Sequence, residues 1–169
     1  MKKIIIIGSP GTGKSTLGKQ LAKSLSVDIY HLDALFWQPN WQMSSREEQQ
    51  SILYDIVKKD SWIIDGNYSG TLDIRFDHAD TIIYLKRSRV LCIFRAIKRY
   101  FMYRGKTRPD MQEECFEKID WSFVKWIWQF PKNHEPLIDE QIRQLDRSQT
   151  LVRLTSNKDI ECFFNSLDE

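Results

Sequence analysis

The sequence predicts an α/β protein, a three-layer α/β/α arrangement in which one mostly parallel sheet carries helices on both faces. Three observations predict it. Short β-branched runs alternate along the chain with segments whose apolar residues recur at helical spacing. The first such run leads without a break into a glycine-rich turn and then into a helix-period segment, the order strand, turn, helix. The length of 169 residues suffices for a single core-bearing domain, and no linker, repeat or low-complexity stretch divides residues 1–169.

The elements follow in order. Residues 2–7, with four consecutive isoleucines, read as a fully buried strand. Leu17, Leu21 and Leu25 recur at helical spacing, so a helix begins at or near Lys14. Residues 27–30 are expected as a second strand. Ser44 as N-cap with Glu47 three positions on resembles a capping box, opening a helix with Gln49, Ile52 and Ile56 on its inner face. Residues 61–65 give a third strand ending in an acid, 81–85 a fourth and 150–154 a fifth. Between the last two, Leu91, Phe94, Ile97 and Phe101 form one helical stripe. Phe116, Ile119, Phe123, Ile127 and Phe130 form another, stopped by Pro131, on which Trp121, Trp126 and Trp128 are expected as core or packing residues. Ile160, Phe163, Phe164 and Leu167 mark a closing helix.

Bulk properties narrow the setting. Twenty-five basic against 23 acidic side chains leave a formal charge of +2, which by itself indicates neither nucleic acid nor membrane as partner. The three cysteines, Cys92, Cys115 and Cys162, are far apart and without metal-ligand spacing, as in a reducing, cytoplasmic setting. The apolar run near the start ends at Gly8, too short for the core of a signal peptide, and no stretch approaches membrane-spanning length.

The turn Gly8-Ser9-Pro10-Gly11-Thr12-Gly13-Lys14-Ser15 fits G-x-x-x-x-G-K-[ST] without mismatch, and its strand and helix are both in place. Backbone N–H groups of residues 8–16, from Gly8 to Thr16 with Pro10 excepted, then form a nest at the positive end of a helix dipole. The glycines keep the wrapping backbone free of Cβ clashes. Lys14 reaches the β/γ-phosphates of a nucleoside triphosphate, and the Ser15 hydroxyl ligates Mg²⁺. We therefore expect ATP and Mg²⁺ as donor and cofactor.

Asp65, at the carboxyl end of the third strand, suits a carboxylate holding the magnesium shell, and it also suits the start of the turn Asp65-Gly66-Asn67. Asp33 follows the second strand, where open α/β sheets bind ligands. There it serves either as base for an attacking hydroxyl, as a second magnesium anchor, or as a helix cap. His31 beside it is given no catalytic role. From Lys86 to Arg108 the chain has nine basic residues and no acid, which fits a solvated face, a nucleic-acid patch or a phosphate clamp. Arg95 and Arg99, one turn apart, suit a clamp, and residues 104–109 suit a mobile loop within a lid at about 100–112. Phe36, Trp37 and Trp41, in a loop-like stretch with Pro39, suit the floor of an acceptor pocket.

Taken in order, the P-loop, the Asp65-Gly66 turn and the Arg95-x-x-x-Arg99 pair resemble the adenylate kinase-like superfamily of P-loop kinases. More narrowly, the stretches His31-Leu-Asp-Ala-Leu-Phe-Trp37, Trp62-Ile-Ile-Asp-Gly-Asn-Tyr68 and Arg104-Gly-Lys-Thr-Arg-Pro109 resemble a bacterial adenylate kinase-related group labelled "DNA topology modulation protein". The resemblance implies a sheet order 2-3-1-4-5, Arg95 against the adenine, Arg99 on the phosphates, and the Ser156-Asn157-Lys158 loop bordering the base. It departs from adenylate kinases where Tyr30-His-Leu-Asp33 and Asp65-Gly-Asn-Tyr-Ser69 stand, so both arginines of an acceptor phosphate site are missing, with Arg46 and Arg75 as the available substitutes. Asp33 resembles the acceptor-side Asp of shikimate- and gluconate-type kinases. The reading is an ATP-dependent small-molecule kinase acting on a hydroxyl compound or a nucleotide or nucleoside. The alternative is a nucleotide-binding regulator acting on DNA through residues 86–108.

Overall fold

The computed structural model describes residues 1–167. Strand β1 (Lys3–Ile7) enters helix α1 (Lys14–Leu25), followed by β2 (Ile29–His31), α2 (Leu32–Phe36) and a hairpin of β3 (Trp37–Gln38) and β4 (Gln42–Met43). Then come α3 (Arg46–Val57), β5 (Trp62–Asp65), α4 (Leu72–His78), β6 (Thr81–Leu85) and α5 (Arg89–Tyr103). After an irregular segment, residues 104–120, α6 (Trp121–Asn133), α7 (Glu135–Arg143), β7 (Thr150–Leu154) and α8 (Asn157–Asn165) complete the chain.

The five-stranded sheet runs β2-β5-β1-β6-β7, every pair parallel. Counted among sheet strands alone this is 2-3-1-4-5, the order the resemblance implies. Its layers follow from the period-2 alternation of a strand. Ile5 and Ile7 point into a core with Leu53, Ile56, Phe76, Phe130 and Ile138 from α3, α4, α6 and α7. Ile4 and Ile6 point the other way, onto Leu17 and Leu21 of α1, with α8 packed alongside. All four isoleucines are fully buried, each contributing about 1.5–3 kcal/mol. β1 thus lies central and both-faces-covered, which is what four consecutive isoleucines require.

Several boundaries differ from expectation. β2 begins at Ile29 because Val27 N–H bonds back to Ala22 O, closing α1 through a left-handed Ser26. The capping box lies one residue later. The Ser45 hydroxyl accepts from Glu48 N–H (3.2 Å) and Glu48 accepts from Ser45 N–H (2.8 Å), so Leu53, Ile56 and Val57 form the buried stripe. α6 starts at Trp121, capped by Asp120, which leaves Phe116 and Ile119 outside it. Pro131 does not stop that helix. It removes one N–H, yet the helix runs to Asn133 and His134 N–H closes onto Phe130 O at 2.9 Å. α7 follows directly, an element the sequence reading missed.

The largest correction concerns α5. Its expected inner stripe faces outward, with Phe94 61% and Phe101 69% exposed, while Cys92 and Ala96 are buried. The reason lies in the P-loop. A Cβ at Gly11 would sit 2.3 Å from Cys92 O, so α5 approaches the loop backbone to contact distance. Only a face of small residues fits there. Trp121 and Trp128 are likewise exposed, whereas Trp126 is half-buried and donates to His134 Nε2 (2.7 Å). Phe36 is fully buried against Tyr68 and takes no part in a pocket floor.

Candidate active site

The P-loop lies between the C-terminal end of β1 and the N-terminus of α1. Gly8 has φ +143°, and a Cβ there would meet Leu85 O at 2.2 Å. The clashes that exclude side chains at Gly8 and Gly11 are therefore with the protein's own backbone. Thr12 is buried, its hydroxyl donating to Ser9 O (2.8 Å). Lys14 Nζ donates to the same carbonyl (3.1 Å). Burial pulls the Lys14 pKa down, while Asp65 and Asp33 act in the opposite sense.

Around this loop, β5 and the turn after it supply the supports. Asp65 pairs in register with Ile6, which brings its carboxylate beside the P-loop. Ser15 Oγ donates to Asp65 Oδ2 (2.7 Å), and His31 Nδ1 lies 3.0 Å from the same oxygen. Among the described residues, Asp65 Oδ1 and His31 Nε2 are buried without a partner. A serine hydroxyl next to a carboxylate with one unsatisfied oxygen is a hard-oxygen donor set, and it fits Mg²⁺. Asn67 clasps Gly8, accepting from its N–H (3.1 Å) and donating to its C=O (2.7 Å). Tyr68 donates to Asp33 Oδ1 (2.7 Å), and burial followed by the Asp33 charge raises the phenol pKa well above its ordinary value.

Arg75 is fully buried and spends its donors on backbone carbonyls: Thr71 (3.2 Å), Gly66 (2.7 Å), Asn67 (3.1 Å) and Tyr68 (2.8 Å). It organises this turn and, fully buried, does not reach an acceptor phosphate. Arg46 does not line the cleft either.

On the opposite wall, Arg95 Nη1 donates to Thr12 O (3.1 Å), bracing the P-loop from α5, and Arg87 Nη2 donates to Asn157 Oδ1 (3.2 Å). Arg99 does not point at open space. Its Nε donates to Glu117 Oε1 (2.8 Å), and Glu117, 3% exposed, also pairs through Oε2 with Arg108 Nε (2.7 Å). Arg108 lies in turn 3.6 Å from Asp33 Oδ2 and 3.6 Å from Asp110 Oδ2. Burial alone would raise the Asp110 pKa, but Arg108, with Ser15, Lys19 and His31, brings it below the usual range. Arg108, in the stretch expected as a mobile loop, is held here by these ion pairs, and the residues after it pack on the β3–β4 hairpin. Cys115 Sγ donates to Gln38 O (3.2 Å), Trp41 Nε1 donates to Phe116 O (3.1 Å), and Lys118 Nζ lies 4.6 Å above the Trp41 ring.

Together these walls enclose a cleft of about 1120 Å³ that reaches Pro10 to Thr16, Asp33, Asp65, Arg95, Arg99 and Asn157, so most residues singled out from the sequence converge here. Gly8 and Ser9 are not among its lining residues. Trp37 and Trp41 line it as expected. Sequence reasoning missed His31, Asn67, Tyr68, Asp110 and Glu117 as site residues. For Asn67 and Tyr68 the signal was present, since they directly follow Asp65 and Gly66. For Glu117 there was none.

The family described as "ATPase family associated with various cellular activities (AAA)" matches residues 4–84, the stretch from β1 through β6. A shikimate kinase of Buchnera aphidicola subsp. Baizongia pistaciae (strain Bp) is 25% identical over 167 residues, 87% of this chain and 89% of that protein. Among solved structures, the shikimate kinase from Acinetobacter baumannii in complex with shikimate superposes with TM-score 0.63 at 16% identity, covering 99% of this chain and 91% of that one. The deoxyadenosine kinase from M. mycoides, with products dCMP and dCDP bound, gives 0.52 at 19% identity, covering 98% and 97%. These low-identity structures share the fold. With the P-loop and its supports in place, the chain carries the fold and the phosphate-binding turn of these kinases, and the likenesses name no acceptor for it.

Proposed function

We propose that this protein transfers the γ-phosphoryl group of MgATP to a hydroxyl of a small acceptor, with Asp33 as the base. The observation that carries this reading is the placement of Asp33 at the cleft, held by Tyr68 and facing Arg108, close enough to Lys14 to act on its titration. The acceptor hydroxyl loses its proton to the Asp33 carboxylate as its oxygen bonds to the γ-phosphorus. The bond from that phosphorus to the β–γ bridging oxygen breaks, and ADP leaves with the electron pair.

The other residues bind and orient. The amides of the P-loop and Lys14 hold the β- and γ-phosphates, and Ser15 and Asp65 would hold Mg²⁺, which draws charge from the phosphate oxygens. Arg95 and Asn157 border the adenine, and Arg99, released from Glu117, meets the transferring group. Single-turnover transfer by Asp33→Asn tests the proposal. ATP binding should persist while the rate falls by about 10²–10⁴-fold, the usual range for a lost general base. A near wild-type rate overturns the role of Asp33. The narrower bacterial likeness and the alternative of a DNA-acting regulator find less support, because Arg95, Arg99 and Arg108 of the basic segment turn into the cleft. Salt-dependent DNA affinity unaffected by Lys14→Ala would favour that alternative.

A further inference from the structure

We infer that the acceptor is an uncharged, ring-bearing alcohol, of which a nucleoside is one example, rather than a hydroxy acid or a phosphate ester. The inference rests on the hydroxyl-acceptor reading above and deepens it. It follows from where the positive charge around the acceptor half of the cleft is spent.

An anionic acceptor needs guanidinium or ammonium groups free to pair with it. The arginines within reach are committed elsewhere. Arg75 is fully buried with its donors on four backbone carbonyls. Arg99 and Arg108 share the two oxygens of Glu117, at 2.8 and 2.7 Å, and Arg108 also lies between Asp33 and Asp110. This cluster sets two positive charges against three negative ones, a local balance of −1. Lys118, over Trp41, is offset by Asp120, which lines the same cleft. Lys14 belongs to the phosphates of the donor. Lys19, which also lines the cleft and acts on Asp110, brings the balance to about neutral. A carboxylate or phosphate entering here would thus find no unpaired guanidinium, and Asp33 would repel it directly.

What the acceptor half does offer is aromatic surface. Trp37 and Trp41 stand edge to face at 5.3 Å, and both line the cleft with Met43 and Tyr68. Flat uncharged rings gain from such surfaces by stacking and apolar burial. A ring carrying a primary hydroxyl can then present that oxygen to Asp33 while the ring lies on the tryptophans.

Two measurements on the full-length protein with MgATP test this. The first is the kcat/KM of phosphoryl transfer to adenosine, deoxyadenosine, AMP and shikimate. The second is quenching of tryptophan fluorescence by the same four compounds in the presence of MgADP, which reads binding without turnover. Adenosine or deoxyadenosine should exceed AMP and shikimate by about 10-fold or more in kcat/KM. Trp37→Leu should raise KM for the neutral acceptor with little change in kcat, a split that a merely structural residue would not give. Glu117→Gln removes one negative charge and should move the preference toward AMP and shikimate by about 10-fold. Preference of the wild type for AMP or shikimate overturns the inference, as does absence of both quenching and turnover with either nucleoside. The two readings fail separately. If Asp33→Asn keeps transferring to a nucleoside, the base assignment falls and the acceptor class stands. If Asp33→Asn loses transfer but the preferred acceptor is anionic, the reverse holds.

Discussion

Replacing Arg75 by methionine should be the most destabilising single change near the site. The guanidinium is fully buried, and its donors serve the carbonyls of Gly66, Asn67, Tyr68 and Thr71. Methionine fills most of the space but donates nothing, so four carbonyls each lose a bond. Among the loop bonds only Tyr68 O keeps others, from the Thr71 N–H and hydroxyl. Each unsatisfied buried acceptor costs roughly 1–3 kcal/mol, which would exceed the observed range if simply added. Two effects reduce it. Some carbonyls relax toward water, and the variant no longer has to desolvate a cation. That second cost is visible in the Arg75 pKa, which burial brings down to about 10, against smaller opposing effects of Asp73, Asp65 and Tyr68. Breaking a buried charged network by removing one partner typically costs about 3–5 kcal/mol, and we adopt that figure.

For a chain of 169 residues a loss of this size lowers Tm by roughly 6–20 °C, at about 2–4 °C per kcal/mol. Urea unfolding monitored by circular dichroism measures it directly. Arg75→Lys should recover only part of the loss, because an ammonium cannot reach four carbonyls in the planar fork geometry. The same turn holds Asn67 on Gly8 and Tyr68 on Asp33, so ATP affinity should weaken in the methionine variant even below its melting range. A loss below about 1 kcal/mol would refute the reasoning, since it would mean that the carbonyls find water without Arg75.

Three further outcomes are expected. Lys14→Ala should abolish tight MgATP binding by calorimetry while leaving the melting curve cooperative, and unchanged affinity would sink the P-loop assignment. Arg99→Ala should slow transfer more than it weakens ATP binding, by about 2–4 kcal/mol in barrier height, and equal effects on both would remove it from the transferring group. Acid should loosen the fold through Asp80 and Asp159. Burial pushes Asp80 up, but the Thr81 hydroxyl and the Lys2 and Lys3 amides outweigh it; the Ser156 hydroxyl, then Thr155, lower Asp159. Both folded pKa values lie below the unfolded ones, so their stabilisation is complete above about pH 4 and fades as pH falls further. The double variant Asp80→Asn, Asp159→Asn should show a flatter acid limb of the urea midpoint than the wild type, and an identical limb refutes the linkage.

What the sequence showed plainly was whatever depends on neighbouring residues. The P-loop, its strand and its helix are contiguous, and the buried isoleucines of β1 signal a both-faces-covered strand without reference to anything distant. What it hid depends on approach between remote segments. The stripe Phe94, Ile97, Phe101 satisfies helical periodicity as well as any buried face, yet α5 packs through Cys92 and Ala96 because it approaches the P-loop backbone at Gly11 to contact distance. Periodicity measures which side is apolar, and it is blind to which side is small. Arg75 illustrates a second blind spot. An arginine near a candidate site suggests a ligand, while its four carbonyl partners arise only from the curvature of the turn after β5.

The donor and acceptor halves of the cleft are built by different means, and this explains why one was readable and the other was not. Phosphates are held largely by backbone N–H groups, whose placement follows from glycine positions and a helix start, both written locally. The half proposed for the acceptor is built from side chains of four separate segments: Asp33 on α2, Tyr68 after β5, Arg99 on α5, and Arg108 with Glu117 in the segment before α6. α5 joins the halves, since Arg95 braces Thr12 of the P-loop while Arg99, one turn further on, binds Glu117.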